Sequence, residues 1–531
     1  MNLRHDALYA SRRSPVLAEN VAATSHPLAT QAALTMMARG GNAIDAAIAA
    51  AATLTVVEPT GNGLGSDAYC VLWDGKELHG LNASGASPEA WTPDRFRGQK
   101  EVPFRGWGSV TVPGAISAWA ELSSRFGTMD LPTLLAPAIK YAEDGFTVTP
   151  VIGALWQRGA DVLSEQPGFA EMFMPEGQTP RAGTRFRSAD LARSLQRIAE
   201  SGGRDFYEGA LAEQIAAHAR ANGAVLTEAD LAAHRPEWCG TLATDFRNVT
   251  LHEIPPNGQG IAALMALGIL DHLDLEGLGA DDPIALHLQI EAIKLAFADL
   301  HRFVADLRYM TDVTPQDLID PEYLKTRAQL ISREHTRNYG PGAPKAGGTV
   351  YLTTADASGM MVSFIQSNYS GFGSGVVVPG TGISLQNRGA GFTLEPGHPN
   401  EVGPRKRPFQ TIIPGFLMEG DRPKMSFGVM GGPMQAQGHV QMVTRTQLWG
   451  QDVQTAIDAP RWRFIEGNDV ACESTLPDAT RAALADMGHK ISVEPPDSAF
   501  GFGGAQLIEK LDGGGYAAGS DPRKDGHAGG F

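Results

Sequence analysis

Apolar positions change their spacing once along this chain. Through the first part they recur at helical intervals, and helices are expected over residues 27–39, 42–55, 115–126, 131–144, 189–201, 210–222 and 283–308. The 42–55 run is very rich in alanine behind Asn42, an N-cap residue type, so a buried, closely packed helix is expected there. Beyond residue 348 the period falls to two. Strands are expected at 349–355, 360–367 and 411–417 between glycine-rich turns, and one more helix at 436–448. The last stretch, GGYAAGSDPRKDGHAGGF (514–531), reads as irregular.

The change of texture coincides with TRNYGPGAPKAGG (336–348), whose two prolines and four glycines cannot continue a helix. It runs into GGTVYLTTAD (347–356), where Val350, Leu352 and Thr354 would face one way and Tyr351, Thr353 and Ala355 the other. A threonine opening a strand directly after glycine has two readings. Thr349 is either an ordinary strand residue after a linker, or the point where the chain cuts itself and exposes a new N-terminal nucleophile.

Size and composition narrow the setting. A chain of 531 residues exceeds the roughly 250–300 at which single cores stop growing, so two lobes or one large intertwined domain is expected. Apolar residues make up 43% and charged residues 19%, as in folded soluble proteins. With 59 acidic against 43 basic residues the net charge is −16, which argues against nucleic acid or an anionic membrane as partner. Cys70, Cys239 and Cys472 form no CxxC, and no HExxH pattern occurs among the 14 histidines, so neither metal nor other cofactor is expected. The first twenty residues carry no apolar core of secretory length, and 43–57 is too short to span a bilayer, so a cytoplasmic protein is expected.

Cleavage before Thr349 would place a hydroxyl and a free α-amine on one residue. The amine titrates near about 7.7–8.0, so it can serve as the general base for its own hydroxyl. Two later segments would complete such a site. Gly431 and Gly432 lie in MSFGVMGGPMQAQGH between a strand-like run and a helix, where adjacent N–H groups can hold an oxyanion; the alternative is a tight turn. Ser367 could return beside Thr349 on an adjacent antiparallel strand, or it is loop polarity before glycine. Arg388, in SLQNRGAGF, is a surface residue or a two-pronged clamp for a carboxylate. The glycines of VVEPTGNGLGSDAY (56–69) are spaced GxGxG with no lysine following, so a close-packed backbone loop is expected rather than a nucleotide loop.

Taken in order, these segments resemble the γ-glutamyltranspeptidase family of N-terminal-nucleophile hydrolases over almost the whole chain. The matching runs are GGNAIDAAIAAA (40–51), VVEPTGNGLGSDAY, TVPGAISAWAEL (111–122), DFYEGALAEQIA (205–216), LTEADLAAHRPEW (226–238), GGTVYLTTADASG (347–359) and GSDPRKDGHAGG (519–530). The resemblance implies an α+β fold, a four-layer αββα sandwich built jointly by two chains. It implies self-cleavage between Gly348 and Thr349, giving a large chain 1–348 and a small chain 349–531 that stay together. It implies Thr349 as nucleophile, Ser367 as a supporting hydroxyl, and Gly431 and Gly432 as oxyanion hole.

The departures from the family pattern concern the substrate. Members acting on glutathione use an arginine that falls within NASGASP (82–88), where this chain has none. By the same resemblance, the aspartate that holds the substrate's α-amine falls on Gly391, an asparagine on Tyr369, a glutamine on Arg388, and a serine pair on Gln410 and Thr411. The pocket is therefore expected to read an anion rather than an amino acid, with Arg388, Tyr369, Gln410 and Thr411 as its substrate-binding residues. That pattern resembles the branch containing an oxamate amidohydrolase of purine breakdown. The expected partner is a small amide; a dimer of the processed pair is left open. The rival readings are a γ-glutamyl transferase or glutathione hydrolase, an acylase for larger amides such as β-lactam side chains, and an uncut relative that only binds.

Overall fold

The computed structural model describes residues 13–340, 348–495 and 501–531; the expectations for residues 1–12 and for 341–347 lie outside the described residues. Two antiparallel sheets of seven strands each form the centre. The first runs His527–Gly530, Val21–Thr24, Gly348–Ala355, Met361–Tyr369, Asp67–Trp73, Leu78–Asn82, Glu237–Trp238. The second runs Val16–Ala18, Tyr516–Ser520, Gly504–Lys510, Arg422–Met430, Gly415–Glu419, Val249–Glu253, Leu242–Phe246. Helices cover both outer faces. Pro27–Ala38 and Ala43–Val57 lie on the first sheet; Gly260–Asp271 and Met434–Val443 lie on the second, backed by Pro283–Phe303. The result is the expected four-layer αββα sandwich.

Alternation along the Thr349 strand explains how the layers stack. Val350 and Leu352 join the core under the first helix layer, while Tyr351 and Ala355 join the core between the sheets. Both sides are apolar because both are covered. Gly428 on the facing sheet makes room for Tyr351: a Cβ there would stand 2.4 Å from the tyrosine ring. The alanine-rich helix is buried at every residue and starts with a capping box between Asn42 and Asp45. It is tied to the Thr349 strand by Thr354 Oγ1, which donates to Ala43 O at 2.7 Å, and by Asp356, which accepts from Ala43 N at 2.7 Å. The 56–69 segment is the close-packed loop expected of it. A Cβ on Gly63 would meet Ser384 Oγ at 2.1 Å, and one on Gly65 would meet Ser384 O at 2.4 Å.

Several expectations are corrected. The first part of the chain supplies seven of the sheet strands, hidden in short runs such as VAAT and LHGLN that are covered on both faces and show no alternation. The 514–531 tail is not irregular: Tyr516–Ser520 and His527–Gly530 are strands of opposite sheets. The strand expected at 411–417 begins only at Gly415, since Pro414 has no N–H and the Ile413 N–H goes to Gln435 Oε1 at 3.0 Å. The 283–308 helix ends at Phe303, and the helix expected at 436–448 starts at Met434 and passes into a π turn, Thr444–Leu448. No helix among the described residues is long and apolar enough to cross a membrane.

The tail is also pinned by charge. Arg461 donates to Asp521 at 2.6 Å, Arg523 reaches both Asp521 and Glu473, and Ala505 N donates to Asp521 at 2.7 Å, all buried. Burial alone would raise the Asp521 carboxyl, but Arg461 and Arg523 hold it at about 2. Asp521→Asn would leave two buried guanidinium groups undercompensated. It is expected to cost about 3–5 kcal/mol in urea unfolding, and an unchanged midpoint would contradict that role.

Candidate active site

Thr349 is fully buried and sits where the ladder slips: a bulge between Gly348 and Val350 breaks the pairing with Met361–Tyr369. Such a bulge re-aims one side chain out of the pleat. The Thr349 Oγ1 lies 3.1 Å from Ser367 Oγ, across the neighbouring strand. Ser367 Oγ in turn accepts from Tyr369 N at 2.8 Å. Tyr369 holds φ at 78°, a left-handed conformation that bulky side chains avoid and that clusters at functional sites.

Gly431 and Gly432 turn the end of Arg422–Met430 into the helix Met434–Val443, with φ of 118° and 61° that only glycine adopts without strain. Their carbonyls accept from Met434 N and Gln435 N, and no acceptor for either glycine N–H occurs among the described residues. Gln435, one turn into this segment, brings it to the nucleophile: its Nε2 donates to Thr349 Oγ1 at 3.4 Å. Gln259 braces the other side, donating to Gly432 O at 2.8 Å and to Thr411 O at 2.6 Å.

The four residues expected to face substrate also meet. Arg388 is buried, its guanidinium stacked 4.9 Å from the Tyr369 ring centroid and its Nη1 donating to Thr411 Oγ1 at 2.9 Å. Arg388 Nε and Nη2 are buried with no acceptor among the described residues. Gln410 Nε2 donates to Asp67 Oδ2 at 2.6 Å, and its Oε1 has no donor among the described residues. Asp67 opens the strand Asp67–Trp73 and is paired in register with Ser367, so both side chains stand on one face of the sheet. Burial raises its carboxyl to about 7 against the pull of Arg388, and burial lowers Arg388 to about 10.

A cavity of about 250 Å³ borders this cluster, walled by Tyr369, Gly391, Phe392, Phe409, His301 and His398. Gly391 offers no space for a side chain toward it: a Cβ would lie 2.5 Å from Phe409 O. The arginine-free 82–88 segment is bound instead to Asn257, whose Oδ1 accepts from Asn82 Nδ2 and Tyr69 OH at 3.0 Å each. Among the described residues His287, Glu291 and His489 lie close enough to share a cation. Lys294 already occupies Glu291 at 2.8 Å, and none of the three belongs to this cluster.

The structure thus gathers Thr349, Ser367, Gly431, Gly432, Tyr369, Arg388, Gln410 and Thr411 into one buried neighbourhood. Sequence reasoning missed Asp67, Gln259 and Gln435. Asp67 left a signal, an acid at the head of the apolar run AYCVLW, and Gln435 another, a polar residue one turn after paired glycines. Gln259 left none, because its role depends on chain segments far apart in sequence.

Comparison with known proteins gives a consistent set. A family model described as gamma-glutamyltranspeptidase matches residues 29–531. The oxamate amidohydrolase proenzyme of Klebsiella pneumoniae is 38% identical, over 98% of this chain and 99% of that protein. The glutathione hydrolase-like YwrD proenzyme of Bacillus subtilis is 35% identical, over 97% and 99%. The crystal structure of a cephalosporin acylase from Bacillus halodurans superposes with a TM-score of 0.95 at 45% identity, over 100% of this chain and 99% of that one.

Proposed function

The chain belongs to the γ-glutamyltranspeptidase family, and we propose that it is a self-cleaving amidohydrolase acting on the amide of a small carboxylate such as oxamate. In maturation, Thr349 Oγ1 attacks the carbonyl carbon of Gly348. The Gly348–Thr349 C–N bond breaks, the nitrogen takes up the proton lost from the hydroxyl to become the free α-amine, and water hydrolyses the resulting ester. Chains 1–348 and 349–531 remain associated because each contributes strands to both sheets.

In turnover, the new α-amine takes the proton as Thr349 Oγ1 attacks the substrate amide. Ser367 and Gln435 orient the hydroxyl. The N–H groups of Gly431 and Gly432 hold the oxyanion, an arrangement in which a single donor is typically worth about 10²–10³ in rate. Ammonia leaves, and water, activated by the same amine, releases the acid from the acyl-threonine.

The observation that carries the substrate class is Arg388. A buried guanidinium with two open donors is costly unless an anion completes it, and a carboxylate fits that fork. Thr349 and Arg388 are both enclosed, which suits a substrate of few atoms. A second reading, removal of larger acyl groups, draws support from the cavity beside Tyr369 and from the similarity to the cephalosporin acylase structure. A substrate panel separates them. Oxamate, its neutral diamide oxamide, a glutaryl amide and a γ-glutamyl anilide would be assayed for released ammonia or amine. Oxamate is expected to show the highest kcat/KM; preference for the glutaryl or γ-glutamyl compound would reject the small-carboxylate reading.

A further inference from the structure

Asp67 is a buried acid in the same pocket that the reaction above leaves unused. It and Arg388 attract one another, yet they are not in contact as an ion pair. Arg388 spends Nη1 on Thr411 and keeps Nε and Nη2 open. Asp67 spends its oxygens on Gln410 Nε2 at 2.6 Å and on the N–H groups of Gly85 and Gly114 at 3.2 and 3.1 Å. Two opposite charges are therefore held apart in one buried cluster, Asp67 on the face that also carries Ser367. We propose that Asp67 is a substrate-selecting residue: a carboxylate docks on the open edge of Arg388 together with uptake of one proton by the Asp67 carboxyl. The inference rests on the carboxylate-amide reading and adds to it which substrates the site admits and when.

A docked carboxylate and an ionised Asp67 would be like charges in a low-dielectric site, sharing one arginine, and such pairs do not both stay ionised. The neutral acid has somewhere to put its proton. Gln410 Oε1 is buried without a donor, so rotation of the Gln410 amide turns it from donor to acceptor for Asp67 O–H. Other titratable groups facing Asp67 do not compete for that proton. Tyr69 and Tyr207 are held neutral by burial, and burial lowers His234, behind Gly114, to about 3. Arg407, behind Ser84, is already paired with Glu237 at 2.5 Å. With the free carboxyl at about 7, the proton exchange falls in the working pH range.

The sign follows. Above about pH 7 the free site is ionised at Asp67, so anionic substrates are penalised increasingly as pH rises, while neutral ones are not. The test is the ratio of kcat/KM for oxamate to that for oxamide across pH 6–9, in which the Thr349 amine cancels because it serves both substrates. In the wild type the ratio is expected to fall about tenfold per pH unit above about 7; in Asp67→Asn it is expected to be flat. A flat wild-type ratio, or an equal fall in Asp67→Asn, overturns the inference.

A second measurement uses only the wild type. Calorimetry of oxalate binding at about pH 8, in buffers of different ionisation enthalpy, is expected to show close to one proton taken up per site, as follows from a free carboxyl near 7. Binding without proton uptake sinks the Asp67 inference alone. Failure to bind oxalate or to hydrolyse oxamate sinks the substrate reading along with it.

Discussion

Thr349→Ala is expected to purify as one uncut chain of 531 residues whose amide turnover lies about 10⁶-fold below wild type. The expectation is this large because one hydroxyl serves twice, first against Gly348 and then against substrate. Without cleavage the α-amine is never released, so nucleophile and base are lost together. The substitution should not unfold the protein. Thr349 contributes a hydroxyl to Ser367 and Gln435, while the strand is held by its ladder and by the Val350, Tyr351 and Leu352 packing on both faces. Gel mobility, circular dichroism and an ammonia assay on the same preparation check all three points. An uncut but active Thr349→Ala would end the proposed mechanism.

Arg388→Ala is expected to lower kcat/KM for oxamate by about 10²–10³ while changing that for neutral oxamide far less. Truncation leaves a substrate carboxylate without its buried partner, which costs about 2–5 kcal/mol, and 1.4 kcal/mol is about tenfold. Arg388→Lys should recover little. A lysine has no planar fork to serve Thr411 and a carboxylate together, and it loses the flat stacking on Tyr369. Equal losses on oxamate and oxamide would show that Arg388 supports the fold of the pocket rather than reading charge.

Legibility followed the physics of each signal. The Thr349 strand was readable because a two-residue period survived even with both faces apolar, and the 42–55 helix because alanine and an Asn42 cap speak locally. Val21–Thr24, Leu78–Asn82 and Tyr516–Ser520 were not readable. Val21–Thr24 and Tyr516–Ser520 are buried throughout, Leu78–Asn82 and Tyr516–Ser520 hold no β-branched residue, and all three are specified by neighbours distant in sequence. The site divides the same way. Thr349, Gly431 and Gly432 have local signatures. Asp67 becomes meaningful only when the Ser367 pairing and the Gln410 contact bring three remote segments together. The strand expected at 411–417 from its alternation fails over 411–414, where the Thr411 carbonyl serves Gln259 and the Ile413 N–H serves Gln435 instead of a sheet neighbour.

The most direct test of the central claim is the intact mass of the purified wild type under denaturing conditions, paired with its native size. Two polypeptides are expected, one ending at Gly348 and one beginning at Thr349, that co-purify as one particle under native conditions. A single active chain of 531 residues would contradict it.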